Sequence, residues 1–378
     1  MASKKAFVFG IGRMGTAISW GMRELGFNLA CADASEDAWQ PWLQGVDAGH
    51  ANEVDFYHGK RVTQEDGIIA LIAEVKPDIV ISSLPYHQTE QLAKVCIDHG
   101  IPYCDLGGRV DVSQRINDYA TQHATRPVMT DLGLAPGWVN ILAEEGCRKL
   151  SGAAEEVEMM VGGLPDYLES TNNPLRYAVT WSVDGLINEY RDDCLILEDG
   201  EVKTVRGMDG LEEIEGEKFG KMEAFYTSGG ASHSIESMKS RGIKNCSYKT
   251  MRYRGHGEIV KFLIRDCNLD DKTLTKIFQE GCGSARKDEV LIMSQVKGGA
   301  KRHREEKVIK SDERFSAMQK ATAFPICSVA SLIADKFLEG DRTQCRDYWT
   351  QYPLSLSYSD VPFDKFNARV EKLMNTEA

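Results

Sequence analysis

The chain has 378 residues, 42% hydrophobic and 27% charged. This is ordinary globular usage, which excludes disordered and fibrous classes and leaves room for two domains of about 150 residues each. Its 45 Lys and Arg against 57 Asp and Glu give a formal net charge of −12. A surface of that sign repels nucleic-acid phosphate and anionic membrane. The expected partner is therefore a small molecule, and any phosphate it carries must be held by local geometry.

The start, MASKKAFVFG, moves straight into a strand-like run without a signal-peptide pattern. No apolar stretch reaches the roughly 18 residues of a membrane helix, the longest runs, 68–75 and 324–334, being broken by small or polar residues. Ten cysteines without a CxxC pair read as single reduced thiols. Together these features predict a cytoplasmic protein.

Residues 6–9 are strand-like. Met14, Ala17, Ile18, Gly21, Met22 and Leu25 follow at the spacing of one buried helix face. Gly26 stops that helix, and residues 28–32 give a second strand. Further strands are predicted at 54–57, 79–83, 102–105 and 128–130, with helices at 64–75, 89–98 and 112–121. Strands alternating with helices at this pitch predict a parallel, doubly wound sheet. After Lys149 the texture changes. Strands are predicted at 157–161, 179–182, 195–197, 222–226, 248–254, 258–264 and 290–296, with one helix at 271–280. A helical pattern resumes at Asp312, interrupted at Pro325, and a short helix over 361–374 closes the chain. The expected fold is α/β: a Rossmann domain over 1–140 and 320–378, with an inserted α+β, mostly antiparallel-sheet domain over 141–319 for substrate binding and dimerisation.

The first strand runs into Gly10-Ile11-Gly12-Arg13-Met14-Gly15, a GxGxxG turn that opens a helix. Gly10 permits the tight turn, Gly12 lets backbone approach a pyrophosphate, and Gly15 lets helix and strand pack closely. The pyrophosphate would rest on free N–H groups at the positive helix end, without a basic patch. Asp33 ends the second strand, where a carboxylate accepts from a ribose 2′-OH and repels a 2′-phosphate. This predicts NAD, with NADP less favoured. The run Lys301-Arg302-His303-Arg304 follows Gly298-Gly299 and is answered by Glu305-Glu306, so it reads as a solvated hairpin tip. No spacing of histidines and carboxylates predicts a metal.

Beyond the fingerprint, several runs resemble the saccharopine dehydrogenase-like oxidoreductases, closest to their lysine 6-dehydrogenase branch. They are Ser83-Leu84-Pro85-Tyr86, Cys104-Asp105-Leu106-Gly107-Gly108, residues 131–137 with Asn140, and residues 161–165. Others are Asn173-Pro174-Leu175, Trp181-Ser182 into residues 185–190, residues 224–230, residues 248–256 and residues 318–325. The resemblance implies NAD-dependent removal of hydride from Cε of lysine. Imine hydrolysis then releases ammonia and gives 2-aminoadipate semialdehyde, which cyclises to piperideine-6-carboxylate. It implies cofactor contacts from Gly10, Gly12, Arg13, Met14, Gly15, Asp33, Ser83, Leu84, Pro85, Tyr86, Leu106 and Gly107. The alternatives are a saccharopine or carboxyspermidine-type dehydrogenase, which condenses an amine with a carbonyl reductively, and a catalytically silent dinucleotide sensor or scaffold. A saccharopine site must hold several carboxylates and should be richer in Arg and Lys than these motifs.

Ligands of doubly wound sheets bind beyond the carboxyl ends of the strands, where Tyr86, Asp105 and Asp131 lie. Asp105 and Asp131 are candidates to hold an ammonium or act as base, and Tyr86 to line the nicotinamide. Competing readings are helix capping for Asp105, a turn for Asp131 and core packing for Tyr86. For the substrate, Arg252 is the candidate carboxylate clamp. It shares a strand face with Thr250, while Lys249, Met251 and Tyr253 take the other. Thr227 and Gly229 could supply donors around a carboxylate, against a plain hairpin turn. His256 suits proton transfer, against a structural histidine. His87 lies near the expected crevice, where helix capping is a sufficient explanation. Exposed strand edges predict a homo-oligomer, a homodimer first.

Overall fold

The computed structural model describes residues 4–40, 42, 53–166, 173–282, 287–338 and 354–376. The chain divides into two units, Met1–Trp138 with Thr322–Ala378, and Val139–Ala321.

The first unit holds six parallel strands: β1 Lys5–Phe9, β2 Asn28–Asp33, β3 Val54–His58, β4 Ile79–Ser82, β5 Tyr103–Asp105 and β6 Val128–Met129. Their order is β3-β2-β1-β4-β5-β6. β1 is central, in register with β2 through Phe9↔Ala32 and with β4 through Phe9↔Ser82. The chain reverses its direction of progress across the sheet there, the switch point where doubly wound sheets bind ligands. Strands covered on both faces must be apolar throughout, and β1 and β4 are buried at nearly every position. One face packs the helices Glu65–Val75, Tyr86–Asp98 and Val110–His123 through Phe7, Leu71, Leu92 and Ile116. On the helix Arg13–Glu24, Trp20 meets Phe324 at 5.6 Å and Gly21 packs against Cys327 and Leu373.

The helix Ala317–Leu338 runs through Pro325 without the expected interruption. A proline removes one N–H bond and costs about 3 kcal/mol in a helix interior, but Phe324, Ile326, Cys327 and Ala330 are all essentially buried around it. Contrary to the sequence reading, its stretch Ala317–Asp335 is long and apolar enough to cross a membrane, and 89% of that window is buried in the fold. It is a core helix.

The second unit is built on β7 Glu156–Pro165, β8 Asp193–Glu198, β9 Glu201–Arg206, β10 Glu212–Gly216, β11 Gly220–Tyr226, β12 Asn245–Arg252, β13 Asp288–Gly298 and β14 Lys301–Lys310. The path is β10-β11-β12-β7-β13-β14, antiparallel throughout except for the parallel pair β12 and β7, with β8 joined to β12 and β9. The two outer strands are tied across the roll: Lys218 N donates to Glu306 at 2.9 Å and Arg304 to the Glu215 carbonyl at 2.7 Å. Four methionines, Met160, Met222, Met251 and Met293, fill the enclosed face, their flexible chains suiting an irregular interior. The opposite face carries Tyr177, Leu186, Tyr190, Phe225, Val260 and Phe278.

Three local expectations fail here. Residues 179–182 form no strand but lead into the helix Val183–Arg191, capped by Ser182, whose hydroxyl accepts from Gly185 N. Residues 258–264, β-branched enough to suggest a strand, form the helix His256–Lys261 and a following π-turn Phe262–Asp266. Val260 and Ile264, one helical turn apart, both enter the core, so packing overrides local propensity. Residues 301–304 are not a hairpin tip. They begin β14, paired in register with β13, and the turn sits at Gly299.

Candidate functional site

In the first unit the Gly-rich turn is shaped by contacts that only glycine allows. Gly10 has φ +85°, and a Cβ on Gly15 would lie 1.7 Å from the Gly10 carbonyl oxygen. At Gly12 a Cβ would meet nothing within 4 Å. The helix Arg13–Glu24 follows Gly12, which has no side chain to cap it, and the N–H groups at such a helix start favour an anion. The turn therefore fits a dinucleotide pyrophosphate on its own geometry. Arg13 and Met14 are the first helical residues. Ser83, Leu84 and Pro85 close the adjoining turn: Ser83 N donates to the Phe9 carbonyl at 2.8 Å, and Pro85 is the N-cap residue of the next helix.

Asp33 braces this turn. Its Oδ2 accepts from Ile11 N at 2.7 Å and its Oδ1 from Ser35 N at 2.9 Å. Each oxygen keeps a second lone pair for a ligand hydroxyl. From Asp33 to Val54 the sequence also carries Glu36, Asp37, Asp47 and Glu53 and contains no Lys or Arg.

Asp105 and Asp131 come together at the ends of β5 and β6. Asp105 is 1% exposed, and its Oδ1 accepts from Gly107 N at 2.8 Å and Asp131 N at 3.0 Å. Its Oδ2 is buried without a regular hydrogen bond, although the nearby Tyr103 hydroxyl favours the charged form. Burial first, then the neighbouring Asp131 carboxylate, pushes its pKa to about 7. Asp131 adopts φ +61° and accepts from the Ser113 hydroxyl at 2.6 Å. A Cβ on Gly107 would lie 2.0 Å from Asp131 Oδ1, so Gly107, at φ +74°, is required by that carboxylate. Leu106 precedes it, half-buried. Asp105 caps no helix, since Arg109 is the N-cap residue of Val110–His123. Tyr86 is not packed in the core. It is 41% exposed at the start of its helix, with the Arg109 guanidinium 5.6 Å from its ring centre. His87 makes no capping bond and pairs with Gln88.

In the second unit Arg252 is 2% exposed, yet no carboxylate oxygen lies within 4 Å of it among the described residues. Its Nε donates to the Tyr190 hydroxyl at 2.8 Å and its Nη1 to the Met251 carbonyl at 2.9 Å. Its guanidinium lies 4.6 Å from the ring centre of Tyr177. His256 Nδ1 lies 2.7 Å from the Leu175 carbonyl, so it must be the donor there. Its Nε2 is then an acceptor, 3.0 Å from the Tyr190 hydroxyl. The chain of bonds runs from Arg252 to Tyr190 to His256 to the backbone. Burial, then the Arg252 charge, lowers the His256 pKa to about 3, so the ring is neutral and serves as a strut rather than a proton carrier.

Thr227 and Thr250 share a hydroxyl bond of 2.7 Å on the same strand face as Arg252. Lys249 points to the other face, paired with Glu212. Gly229 takes φ +86° in the following turn. The sequence reading missed Tyr177, Tyr190 and Glu189. The last two were accessible in principle, because Val183, Leu186, Ile187 and Tyr190 recur at helical spacing after a serine cap. A recess of about 710 Å³ elsewhere in this unit is lined by Glu212, Glu213, Glu223, Tyr253 and Arg254. Glu213 there pairs with Arg254 and Glu223 accepts from the Gly255 and Gly257 amides, and the recess is not assigned as the site. Nine cysteines are free, Cys345 lies outside the described residues, and no metal-binding cluster occurs among the described ones.

Residues 6–131 match the family described as "Saccharopine dehydrogenase NADP binding domain" and residues 133–344 that described as "Saccharopine dehydrogenase C-terminal domain". The mitochondrial alpha-aminoadipic semialdehyde synthase of Rattus norvegicus is 32% identical over 159 residues, 41% of this chain and 16% of that protein. The saccharopine dehydrogenase [NADP(+), L-glutamate-forming] of Pyricularia oryzae is 28% identical over 209 residues, 54% of this chain and 46% of that protein. The chain thus spans less than half the length of either relative. Apo saccharopine dehydrogenase (L-Glu forming) from Saccharomyces cerevisiae shares the fold, with a TM-score of 0.71 at 16% identity over 98% of this chain and 96% of that one.

Proposed function

We propose that this chain, which belongs to the saccharopine dehydrogenase family, is a nicotinamide-dinucleotide-dependent oxidoreductase that makes or breaks a C–N bond in an amino-acid amine, in the manner of a saccharopine dehydrogenase. The observation that carries this reading is the pair of family matches, in series over 6–131 and 133–344. When bound, the nicotinamide accepts or returns a hydride. The first unit supplies the pyrophosphate cradle at Gly10, Gly12 and Gly15. It also supplies Asp105, whose pKa of about 7 suits taking up and returning a proton near neutrality. The second unit supplies Arg252 for a carboxylate.

One observation favours a second reading, oxidative deamination of the ε-amine of lysine. The cluster around Arg252 offers a single cation, whereas a saccharopine molecule brings several carboxylates. The cofactor is proposed to be NAD. The family description and the fungal relative's name carry NADP, so this proposal departs from them. It rests on Asp33 at the end of β2 and on the sequence of residues 33–54, which has five Asp and Glu and no Lys or Arg to hold a 2′-phosphate.

Incubation with NAD⁺ or NADP⁺ and saccharopine, lysine, ornithine or carboxyspermidine, following reduced cofactor, tests all three statements. Turnover of saccharopine with silence on lysine supports the first reading, and the converse supports the second. Silence with every amine despite dinucleotide binding overturns both and leaves a sensor. A wild-type preference for NADP⁺ overturns the cofactor assignment.

A further inference from the structure

Glu189 lies beside Tyr190 near the end of the helix Val183–Arg191. Its carbonyl accepts from Ser228 N at 3.1 Å, which seats it over the turn that follows Thr227. Thr227 in turn bonds Thr250, two residues from Arg252 on the same strand face. The Glu189 carboxylate makes no hydrogen bond or ion pair among the described residues. It is half-buried, and burial pushes its pKa to about 7, with Arg252 the one charge that opposes this. Its charge is felt by Arg252, Tyr177, Tyr190 and Tyr248, which places all five in one cluster.

Two opposite charges thus share one cluster with no ion pair between them, more than 4 Å apart. We propose that Arg252 and Glu189 together read the zwitterionic head of an α-amino acid, Arg252 taking the α-carboxylate and Glu189 the α-ammonium. A dicarboxylate would leave Glu189 facing a negative group, and a simple diamine would leave Arg252 facing a positive one. Tyr177, with its ring on the guanidinium, borders the carboxylate end. The inference rests on the reading of the substrate as an amino-acid amine and names the part of it that the second unit grips.

Calorimetric titration of the full chain with L-lysine, 6-aminohexanoate and 1,5-diaminopentane tests it. The second ligand lacks the α-ammonium and the third lacks the α-carboxylate. The wild type should bind lysine about tenfold or more tightly than either, the range of a charge-assisted hydrogen bond. Glu189→Gln should abolish the preference for lysine over 6-aminohexanoate, with 6-aminohexanoate itself shifting less than about twofold. Arg252→Lys, which keeps the charge but not the fork, should weaken both carboxylate-bearing ligands and spare the diamine. Equal weakening of lysine and 6-aminohexanoate in Glu189→Gln overturns the proposal. So does equal binding, or no binding, of all three ligands by the wild type. Binding needs no turnover, so an intact head-group preference in a protein silent with every amine would retain this site and overturn only the redox reading.

Discussion

Asp105 and His256 are both buried, and their protonation pulls stability in opposite directions. Asp105 has its pKa raised from 3.8 to about 7 in the folded chain. Folding then favours the protonated form: the stabilisation is complete below pH 4 and is lost as pH rises through 7. Asp105→Asn keeps an acceptor at Oδ1 for the Gly107 and Asp131 amides and carries no charge. It should melt higher than wild type above pH 7, by the equivalent of a few kcal/mol at most, with the difference vanishing near pH 4. A constant offset from pH 4 to 8 in thermal melts would refute the assignment. His256 has its pKa lowered from 6.5 to about 3, so its contribution is complete above pH 6.5 and is lost as pH falls toward 3. Chemical denaturation of His256→Gln should show a shallower loss of stability across that acid window than wild type. An unchanged slope would mean that His256 ionises in place. What a sequence reveals differs between these two residues. Asp105 follows a recognisable strand end, so its neighbourhood can be placed in advance. The role of His256 depends on Tyr190 and the Leu175 carbonyl, remote in sequence and joined to it only by tertiary packing.

Elements differ in how far local pattern controls them. The central parallel strands of the first unit, β1 and β4, are legible because each is a short apolar run bounded by turn residues, and tertiary structure only confirms the preference. The helix at His256–Lys261 and the unbroken passage through Pro325 are not legible, because burial of Val260 and of the residues around Pro325 outweighs local propensity. The Gly-rich turn gives the sharpest separation of fold from ligand. Gly15→Ala must displace the Gly10 carbonyl, 1.7 Å from the new Cβ, and should cost on the order of 1–3 kcal/mol. Gly12 has φ −69° and ψ −162°, which alanine tolerates, and its Cβ enters open space. Gly12→Ala should therefore stay within about 1 kcal/mol of wild type while weakening NADH binding at least about tenfold, read by denaturation and by fluorescence titration. Equal dinucleotide affinity in Gly12→Ala and wild type would show that the pyrophosphate does not approach this turn.

At the scale of the molecule the two-unit division and the mostly antiparallel second sheet follow from the change of texture after Lys149. The tie between β10 and β14 does not, because it joins residues some ninety positions apart through Lys218 and Arg304. Net charge is the property that is legible at once, and it has a kinetic consequence. A chain of charge −12 repels a dinucleotide anion before the local amides can hold it, and salt screens that repulsion over a Debye length of about 10 Å at 0.1 M. The association rate of NADH, followed by its fluorescence in a stopped-flow instrument, should therefore rise with added sodium chloride, by roughly twofold between about 20 and 200 mM. Its dissociation rate should move less, because the bound pyrophosphate is held by short-range amide bonds. A cationic amino acid should show the reverse trend in association. If NADH association instead slows with salt, local positive charge steers the cofactor, and the backbone cradle is not its first point of capture.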